Sequence, residues 1–203
     1  MKHEWQPMTI VEVAARFDGS DIDWWIAGGQ AIDLFLGWET RPHADLDVEM
    51  FRRDRSVLFD IFEGWDFHVA SEGSLVPWTD PPELADSIFG IWLRPTPSQP
   101  WQVEIMLADG DRSEWKYRRD PGIRMPGERL IARTADGVPY CTPEVQLLYK
   151  SKMARPKDDV DLAHCLHHLS EEQRRWLIDA IAKTSTQHPW VGVLEASLHQ
   201  QHE

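Results

Sequence analysis

Cysteine is nearly absent from this chain: Cys141 and Cys165 are the only two among 203 residues. Two such residues form no disulfide framework and show no zinc-ligand spacing. The expected state is a pair of buried free thiols in a reducing compartment. Long apolar runs are missing as well. Hydrophobic residues make up 42% of the chain, yet no run approaches the ~20 residues of a membrane span, so no membrane partner is expected. The first residues, Met1-Lys2-His3-Glu4-Trp5, lack the apolar stretch of a signal peptide, which makes the cytoplasm the expected compartment. Positive charge is scarce: 21 Lys and Arg stand against 34 Asp and Glu, a net charge of −13. That deficit argues against a broad basic face for extended nucleic acid, without excluding tRNA, and it suits a cationic small molecule. Internal repeats and low-complexity tracts are also lacking. Tryptophan, by contrast, is abundant, with 11 residues. Trp24 and Trp25 are adjacent, so they cannot both face the core from one strand. Core packing is the default for an indole, and an outward one can stack on a base or a sugar ring.

The periodicity predicts a helix over Thr9 to Phe17, with Ile10, Val13, Ala14 and Phe17 on one side, Thr9 as N-cap and Gly19 as stop. A short strand follows over Asp23 to Ala27, then a helix over Gln30 to Leu36 ended by Gly37. Asp45 to Phe51 reads as a strand, Asp54 to Phe62 as a helix stopped by Gly64, and Trp65 to Ala70 as a strand. Ser71 to Glu83 reads as a loop. Ser87 to Leu93 and Trp101 to Leu107 suit an antiparallel pair across a proline-rich connection. Asp109 to Gly127 has no clear pattern, and Arg129 to Arg133 suits an edge strand. Thr142-Pro143-Glu144 opens a helix, with Pro143 in its first turn. Helical patterns then run over Lys157 to His168, Ser170 to Lys183 and Trp190 to Gln200, and Ser170-Glu171-Glu172-Gln173 has the form of a capping box. The expectation is an α+β domain over 1–140 and a helical lobe over 141–203.

The chemistry concentrates between residues 24 and 49. Gly28-Gly29 stands at a strand-to-helix turn, where glycine lets phosphate approach backbone N–H groups and the helix N-terminus favours negative charge. The same pair also suits a tight turn with no ligand. Asp45 and Asp47 sit at i and i+2 of the predicted strand, so both carboxylates share a face and offer hard oxygen ligands to a divalent cation. Without the glycine turn they would read as the solvated face of an edge strand, although Asp is disfavoured in strands. Glu49 continues that face as ligand or neighbour. Arg41 suits bidentate phosphate contact. His43 suits either a role in the site or the fixing of its loop, and Asp33 suits local pairing. Glu104 stands opposite the apolar face formed by Trp101, Val103, Ile105 and Leu107, which makes it the candidate third carboxylate, with Asp109 and Asp111 as rivals. His164 and His168 are spaced i, i+4, but no Glu follows in the His-Glu-x-x-His order of zinc proteases, so a histidine group without metal is expected.

In the ordered set Gly28-Gly29, Asp33, Arg41, His43, Asp45 and Asp47, the chain resembles the nucleotidyltransferase superfamily that includes DNA polymerase beta. Within it, the run from Ile26 to Asp47 is similar to aminoglycoside 2''-adenylyltransferases and lincosamide nucleotidyltransferases. Close similarity covers residues 20–50. A weaker likeness covers Pro143 to Asp161, where Lys150 or Lys152 would meet the triphosphate and an Asp would order the helix; a charged solvent face is the alternative there.

The resemblance implies a small mixed β-sheet core with packed helices and a C-terminal helical lobe. It also implies Mg²⁺ held by Asp45, Asp47 and Glu104, with Glu104 as ligand or base. ATP or another nucleoside triphosphate would lie against Gly28, Gly29, Arg41, His43 and Lys150 or Lys152. The implied reaction moves a nucleoside monophosphate, AMP foremost, to a hydroxyl of a small acceptor of aminoglycoside type. Two alternatives stand beside it: a nucleotidyltransferase toxin acting on tRNA or protein, and a relative that binds nucleotide without turnover. Retention of Asp45 and Asp47 argues against the latter. Nothing in the sequence fixes the oligomeric state.

Overall fold

The structure, a computed structural model, describes residues 4–79 and 84–199. Met1 to His3, the 80–83 part of the expected loop and Gln200 lie outside the described residues. The chain opens with α1 (Ile10–Phe17), whose capping box joins the Thr9 hydroxyl to the Glu12 N–H and the Glu12 carboxylate to the Thr9 N–H. This reciprocal pair satisfies two helix-end donors and fixes the helix start at Ile10. Val13 and Phe17 are its buried face, and Phe17 stacks on Trp24 with ring centroids 4.8 Å apart. Trp24 opens strand β1 (Trp24–Ile26) and is half-buried, while Trp25 is fully buried. The two indoles therefore leave the strand on opposite faces, as the alternation requires, and both are packed.

Helix α2 (Gly28–Leu36) follows directly and ends at Gly37, whose φ of 83° places it in the left-handed region. Next come β2 (Asp47–Phe51), a 3₁₀ stretch over Arg52–Val57, the short α3 (Leu58–Ile61), β3 (Asp66–Ser71) and β4 (Ser74–Pro77). Strands β5 (Gly90–Arg94), β6 (Val103–Gly110), β7 (Trp115–Lys116), β8 (Arg124–Met125), β9 (Ile131–Arg133) and β10 (Pro139–Cys141) complete the sheet. Helices α4 (Pro143–Ser151), α5 (Pro156–Cys165), α6 (Glu171–Thr184) and α7 (Pro189–His199) close the chain.

The fold is a mixed α+β sheet with helices packed on it, but the sheet is larger than expected. Its main path runs β4-β3-β5-β6-β2-β1-β10-β9, and β7 and β8 branch from β6, giving ten strands. β2 pairs parallel to β6 and β1 parallel to β10; the other pairings are antiparallel. Two segments account for much of the added size. The expected loop from Ser71 contains the β3–β4 hairpin, with Ser71 opposite Ser74 across a two-residue turn. Both turn residues have positive φ, 49° at Glu72 and 77° at Gly73, the geometry that matches strand twist in a tight hairpin. The stretch around residues 115–125, without clear pattern in the sequence, forms the β7–β8 ribbon. The helix expected from Asp54 is mostly 3₁₀, with only one α-helical turn.

Cys141 and Cys165 are both free and buried. No helix among the described residues is long and apolar enough to cross a membrane.

Candidate active site

The glycine turn is built against the metal-candidate strand. Ala27 donates its N–H to the Asp47 carbonyl at 2.9 Å, which brings the end of β1 beside the first residue of β2. Gly28 adopts φ +68°, and a Cβ placed there would collide with the Asp47 carboxylate. A Cβ on Gly29 would run into the His43 ring and lie 2.6 Å from Arg41 Nη2. Both glycines are therefore required by close approach as well as by backbone freedom at Gly28. The Gly28 N–H is not open to solvent chemistry, however: it donates to Oε1 of Gln146 on α4 at 2.9 Å. Among the described residues neither the Gly29 nor the Gln30 N–H has a hydrogen-bond acceptor, so the head of α2 keeps two unpaired donors beside the cleft.

The carboxylates converge, though not all from strands. Asp47 is the first residue of β2 and pairs in parallel register with Glu104 on β6. Asp45 lies outside the strand expected to carry it, in the loop before β2, where its carbonyl accepts from Gln30 Nε2 at 3.1 Å. Strict alternation along one strand therefore does not place it. It still lines the same cleft as Asp47.

Burial first, then the charge of Asp45, push the Asp47 carboxyl up to about 6, against the pull of Lys150, Lys157 and His43. Burial first, then the charge of Asp47, push Glu104 up to about 7, with the Trp92 indole pulling the other way. Glu49, nearly inaccessible, is also raised to about 7 by burial, although it accepts a 2.8 Å hydrogen bond from Trp25 Nε1. A desolvated carboxylate near another negative charge holds its proton until a cation compensates it. Among the described residues, no three His, Cys, Asp or Glu side chains close into a preformed metal cage. The all-oxygen donor set fits a hard cation such as Mg²⁺, which keeps several waters and phosphate oxygens among its ligands and needs only one or two carboxylates from the protein.

The rivals of Glu104 are engaged elsewhere. Asp109 accepts from Arg52 Nε at 3.0 Å, and Asp111 accepts from the Ser113 N–H at 2.8 Å within its own turn.

Arg41 and His43 belong to a network that ties the loop after α2 to the helices. His43 Nε2 lies 2.6 Å from Asp33 Oδ2, and its Nδ1 lies 3.2 Å from Arg41 Nη1. Arg41 can only donate, so in the tautomer that satisfies both contacts Nδ1 accepts from Arg41 and Nε2–H donates to Asp33. Asp33 Oδ1 also accepts from the Thr40 N–H and hydroxyl. Arg41 reaches both oxygens of Asp161 at 3.3 Å. Lys150 Nζ lies 2.9 Å from Asp161 and 3.5 Å from Asp158. Asp161 is fully buried, and the Lys150 side chain is 7% exposed. Lys152, by contrast, is exposed at the end of α4.

A cleft of about 800 Å³ gathers most of the residues singled out from the sequence: Gly28, Gly29, Arg41, His43, Asp45, Asp47, Lys150 and Lys152 all line it. Glu104 is not in its lining and reaches the site through its pairing with Asp47. Sequence reasoning missed Gln146, Arg118, Arg119 and Tyr149 in this cleft. Gln146 and Lys150 are one helical turn apart, so the i, i+4 spacing was a usable signal for Gln146. Arg118 sits over the Phe89 ring at 4.7 Å and the Tyr149 ring at 5.7 Å; nothing local in the sequence announces that. The cationic members of the lining are Arg41, Arg118, Arg119, Lys150, Lys152, Arg155 and Lys157, against the carboxylates Asp45, Asp47, Glu49 and Asp158. The acidity of the chain as a whole does not extend to this surface. His164, His167 and His168 form no metal group among the described residues, and His168 packs edge-on against Trp38.

Residues 9–76 match the model of the aminoglycoside-2''-adenylyltransferase family. The matched segment contains Gly28, Gly29, Arg41, His43, Asp45 and Asp47 and stops before Glu104 and α4. No curated protein matches the chain. Among solved structures, the chain is similar to ANT(2'')-Ia in complex with adenylyl-2''-tobramycin, at 18% identity and TM-score 0.55, covering 87% of this chain and 97% of that one. It is also similar to the solution structure of the antibiotic-resistance factor ANT(2'')-Ia, at 19% identity and TM-score 0.57, covering 96% of each chain. The lincosamide antibiotic adenylyltransferase LnuA, bound to lincomycin, aligns at 17% identity and TM-score 0.53, covering 78% of this chain and 97% of that one. At these identities the likeness establishes the fold.

Proposed function

We propose that this protein is a Mg²⁺-dependent nucleotidyltransferase that moves a nucleoside monophosphate, AMP foremost, from a nucleoside triphosphate to a hydroxyl of a small acceptor. The observation that carries the reading is the packing of the Gly28–Gly29 turn onto Asp47, with Glu104 in register beside it. The family match over residues 9–76 and the adenylyltransferase folds support it.

In this reading the Gly29 N–H and the Arg41 guanidinium hold phosphate oxygens. His43 keeps Arg41 and the loop in place through Asp33. Lys150 is held between Asp158 and Asp161 and adds positive charge on the α4 side. Asp45, Asp47 and Glu104 would hold Mg²⁺, which supplies charge neutralisation at the phosphates and lowers the pKa of an acceptor hydroxyl. The acceptor oxygen forms a bond to the α-phosphorus, the bond to the bridging oxygen breaks, and pyrophosphate leaves with that electron pair. Glu104, once ionised, would act either as a ligand or as the base that takes the hydroxyl proton. The Arg- and Lys-rich lining suits the polyphosphate; the acceptor is defined by its hydroxyl, and the net charge of the chain does not define it further.

Calorimetry with ATP, GTP and CTP, with and without Mg²⁺, tests the nucleotide half of the proposal. Metal-dependent binding of at least one triphosphate is expected, and no binding at millimolar concentrations removes the enzymatic reading. Labelled nucleotide with a panel of aminoglycosides and lincosamides tests the acceptor half. Expression in a sensitive bacterium should raise resistance to at least one such drug, and Asp47→Asn should abolish the gain. Labelling of tRNA or a protein in place of every drug would replace the small-molecule acceptor with the toxin reading.

A further inference from the structure

The Gly28 N–H is the first free donor of α2, and it is satisfied by a side chain 118 residues away, Oε1 of Gln146, at 2.9 Å. A backbone N–H needs an acceptor, so the bond settles which way the Gln146 amide is turned: the oxygen faces Gly28 and the NH₂ faces away from it. Gln146 is 7% exposed and lines the cleft. No hydrogen bond from its amide nitrogen is present among the described residues, in contrast to its oxygen. Asp47 lies against the other side of Gly28, within collision distance of any Cβ built there. Gln146 and Asp47 thus flank one glycine, one offering a neutral donor and the other a carboxylate.

A cleft-facing amide donor with no protein partner is free to meet a ligand oxygen in place of water. The same cleft is lined by Asp47 and by the Gly28–Gly29 turn, where the proposed triphosphate would lie. A neutral N–H there can approach a phosphate oxygen at every pH without changing the charge that the metal ligands see.

We infer that Gln146 is a nucleotide-binding residue: its side-chain oxygen is anchored by the Gly28 N–H, and its side-chain NH₂ donates to a phosphate oxygen of the bound triphosphate beside Asp47. This rests on the nucleotidyltransferase reading and adds to it a contact from α4, outside the segment of the chain that matches the family model. It also means that the Gly28 N–H serves the nucleotide indirectly, by orienting Gln146, while the Gly29 N–H serves it directly.

Two variants of the full-length protein separate the possible roles, with Mg²⁺–ATP affinity read by calorimetry and folding read by melting temperature. Gln146→Glu keeps an acceptor for Gly28 and removes the donor. Gln146→Met is uncharged and removes both. A donor role predicts that both variants lose tenfold or more in affinity, with the melting temperature of Gln146→Glu close to wild type. A purely structural anchor predicts loss in Gln146→Met only, and a purely electrostatic effect predicts loss in Gln146→Glu only; either pattern overturns the inference, as does unchanged affinity in both. If wild type itself binds no triphosphate, the nucleotidyltransferase reading fails instead, and the two failures are thereby told apart.

Discussion

A methyl group at Gly28 has nowhere to go, because it would enter the Asp47 carboxylate at a backbone φ of +68° that L side chains rarely adopt. Gly28→Ala should therefore displace Asp47 or the head of α2. We expect loss of Mg²⁺–nucleotide binding by at least tenfold in calorimetry; unchanged affinity would show that the close approach has no functional use. Asp47→Asn has the opposite structural character. Burial and the neighbouring Asp45 charge raise the Asp47 carboxyl to about 6, so ionising it works against the fold in the absence of metal. The variant should abolish transfer and melt no lower than wild type in metal-free buffer at pH 8.

Glu104 carries the same argument to a measurable pH dependence. Its carboxyl is raised from the ordinary range to about 7, so between those values the folded chain retains a proton that the unfolded chain has released. The stabilising contribution is then present at low pH and lost as pH rises through about 7. Glu104→Gln never ionises. It should accordingly be more stable than metal-free wild type at pH 8, and the gap should close toward pH 5, as read by paired melting curves. Mg²⁺ binding, which needs the deprotonated carboxylates, should strengthen over the same rise in pH. If Glu104 also acts as a general base, Glu104→Gln should lose about 10²-fold or more in turnover; an effect confined to metal affinity would assign it to coordination.

At the scale of elements, the site depends on how the loop after α2 is pinned to α4 and α5. Asp161 of α5 accepts from Arg41 and Lys150 and is completely buried. Removing one partner of a buried ion pair leaves uncompensated charge and costs about 3–5 kcal/mol. Lys150 keeps Asp158 as a second partner, so Asp161→Asn should fall at about 3 kcal/mol, the low end of that range, in chemical denaturation. It should also weaken nucleotide binding by freeing Arg41. A denaturation midpoint equal to wild type would mean that the network contributes nothing to holding these elements together.

The elements legible in the sequence were those whose causes are local. The Thr9 N-cap of α1, the Ser170–Gln173 capping box, Pro143 in the first turn of α4 and the αL glycine at Gly37 all depend on residues a few positions apart. The β3–β4 hairpin was not legible, because Glu72-Gly73 lacks the Asn-Gly or Asp-Gly signal that its positive φ angles normally select. Asp45 lies before the strand expected to carry it, in a loop where its carbonyl accepts from Gln30 instead of from a neighbouring strand. The pairing of Asp47 with Glu104 rather than with Asp109 is a matter of register between distant strands. The bond from Gly28 to Gln146 spans still more of the chain, and no window of sequence contains both.

Over the whole molecule, charge and cleft point in different directions. The chain carries −13 in total, yet most of the candidate site residues line a cleft with more Arg and Lys than carboxylates. Net charge was therefore a poor guide to the ligand, because it averages over a surface on which the cations are not evenly spread. A polyphosphate entering this cleft would bridge the glycine turn, the loop held by Asp33 and helix α4, which come from opposite ends of the chain. Binding only to the folded state at 100 times the dissociation constant adds about 2.7 kcal/mol of stability. For a chain of this size, at ~2–4 °C per kcal/mol, Mg²⁺–ATP should raise the melting temperature by about 5–10 °C. The rise should shrink at high salt, which screens the Arg and Lys lining. It should also shrink when Mg²⁺ is removed and in Asp47→Asn, whereas Lys183→Ala, outside the cleft lining, should retain it in full. A rise that is insensitive to both Mg²⁺ and Asp47 would place the nucleotide elsewhere on the protein.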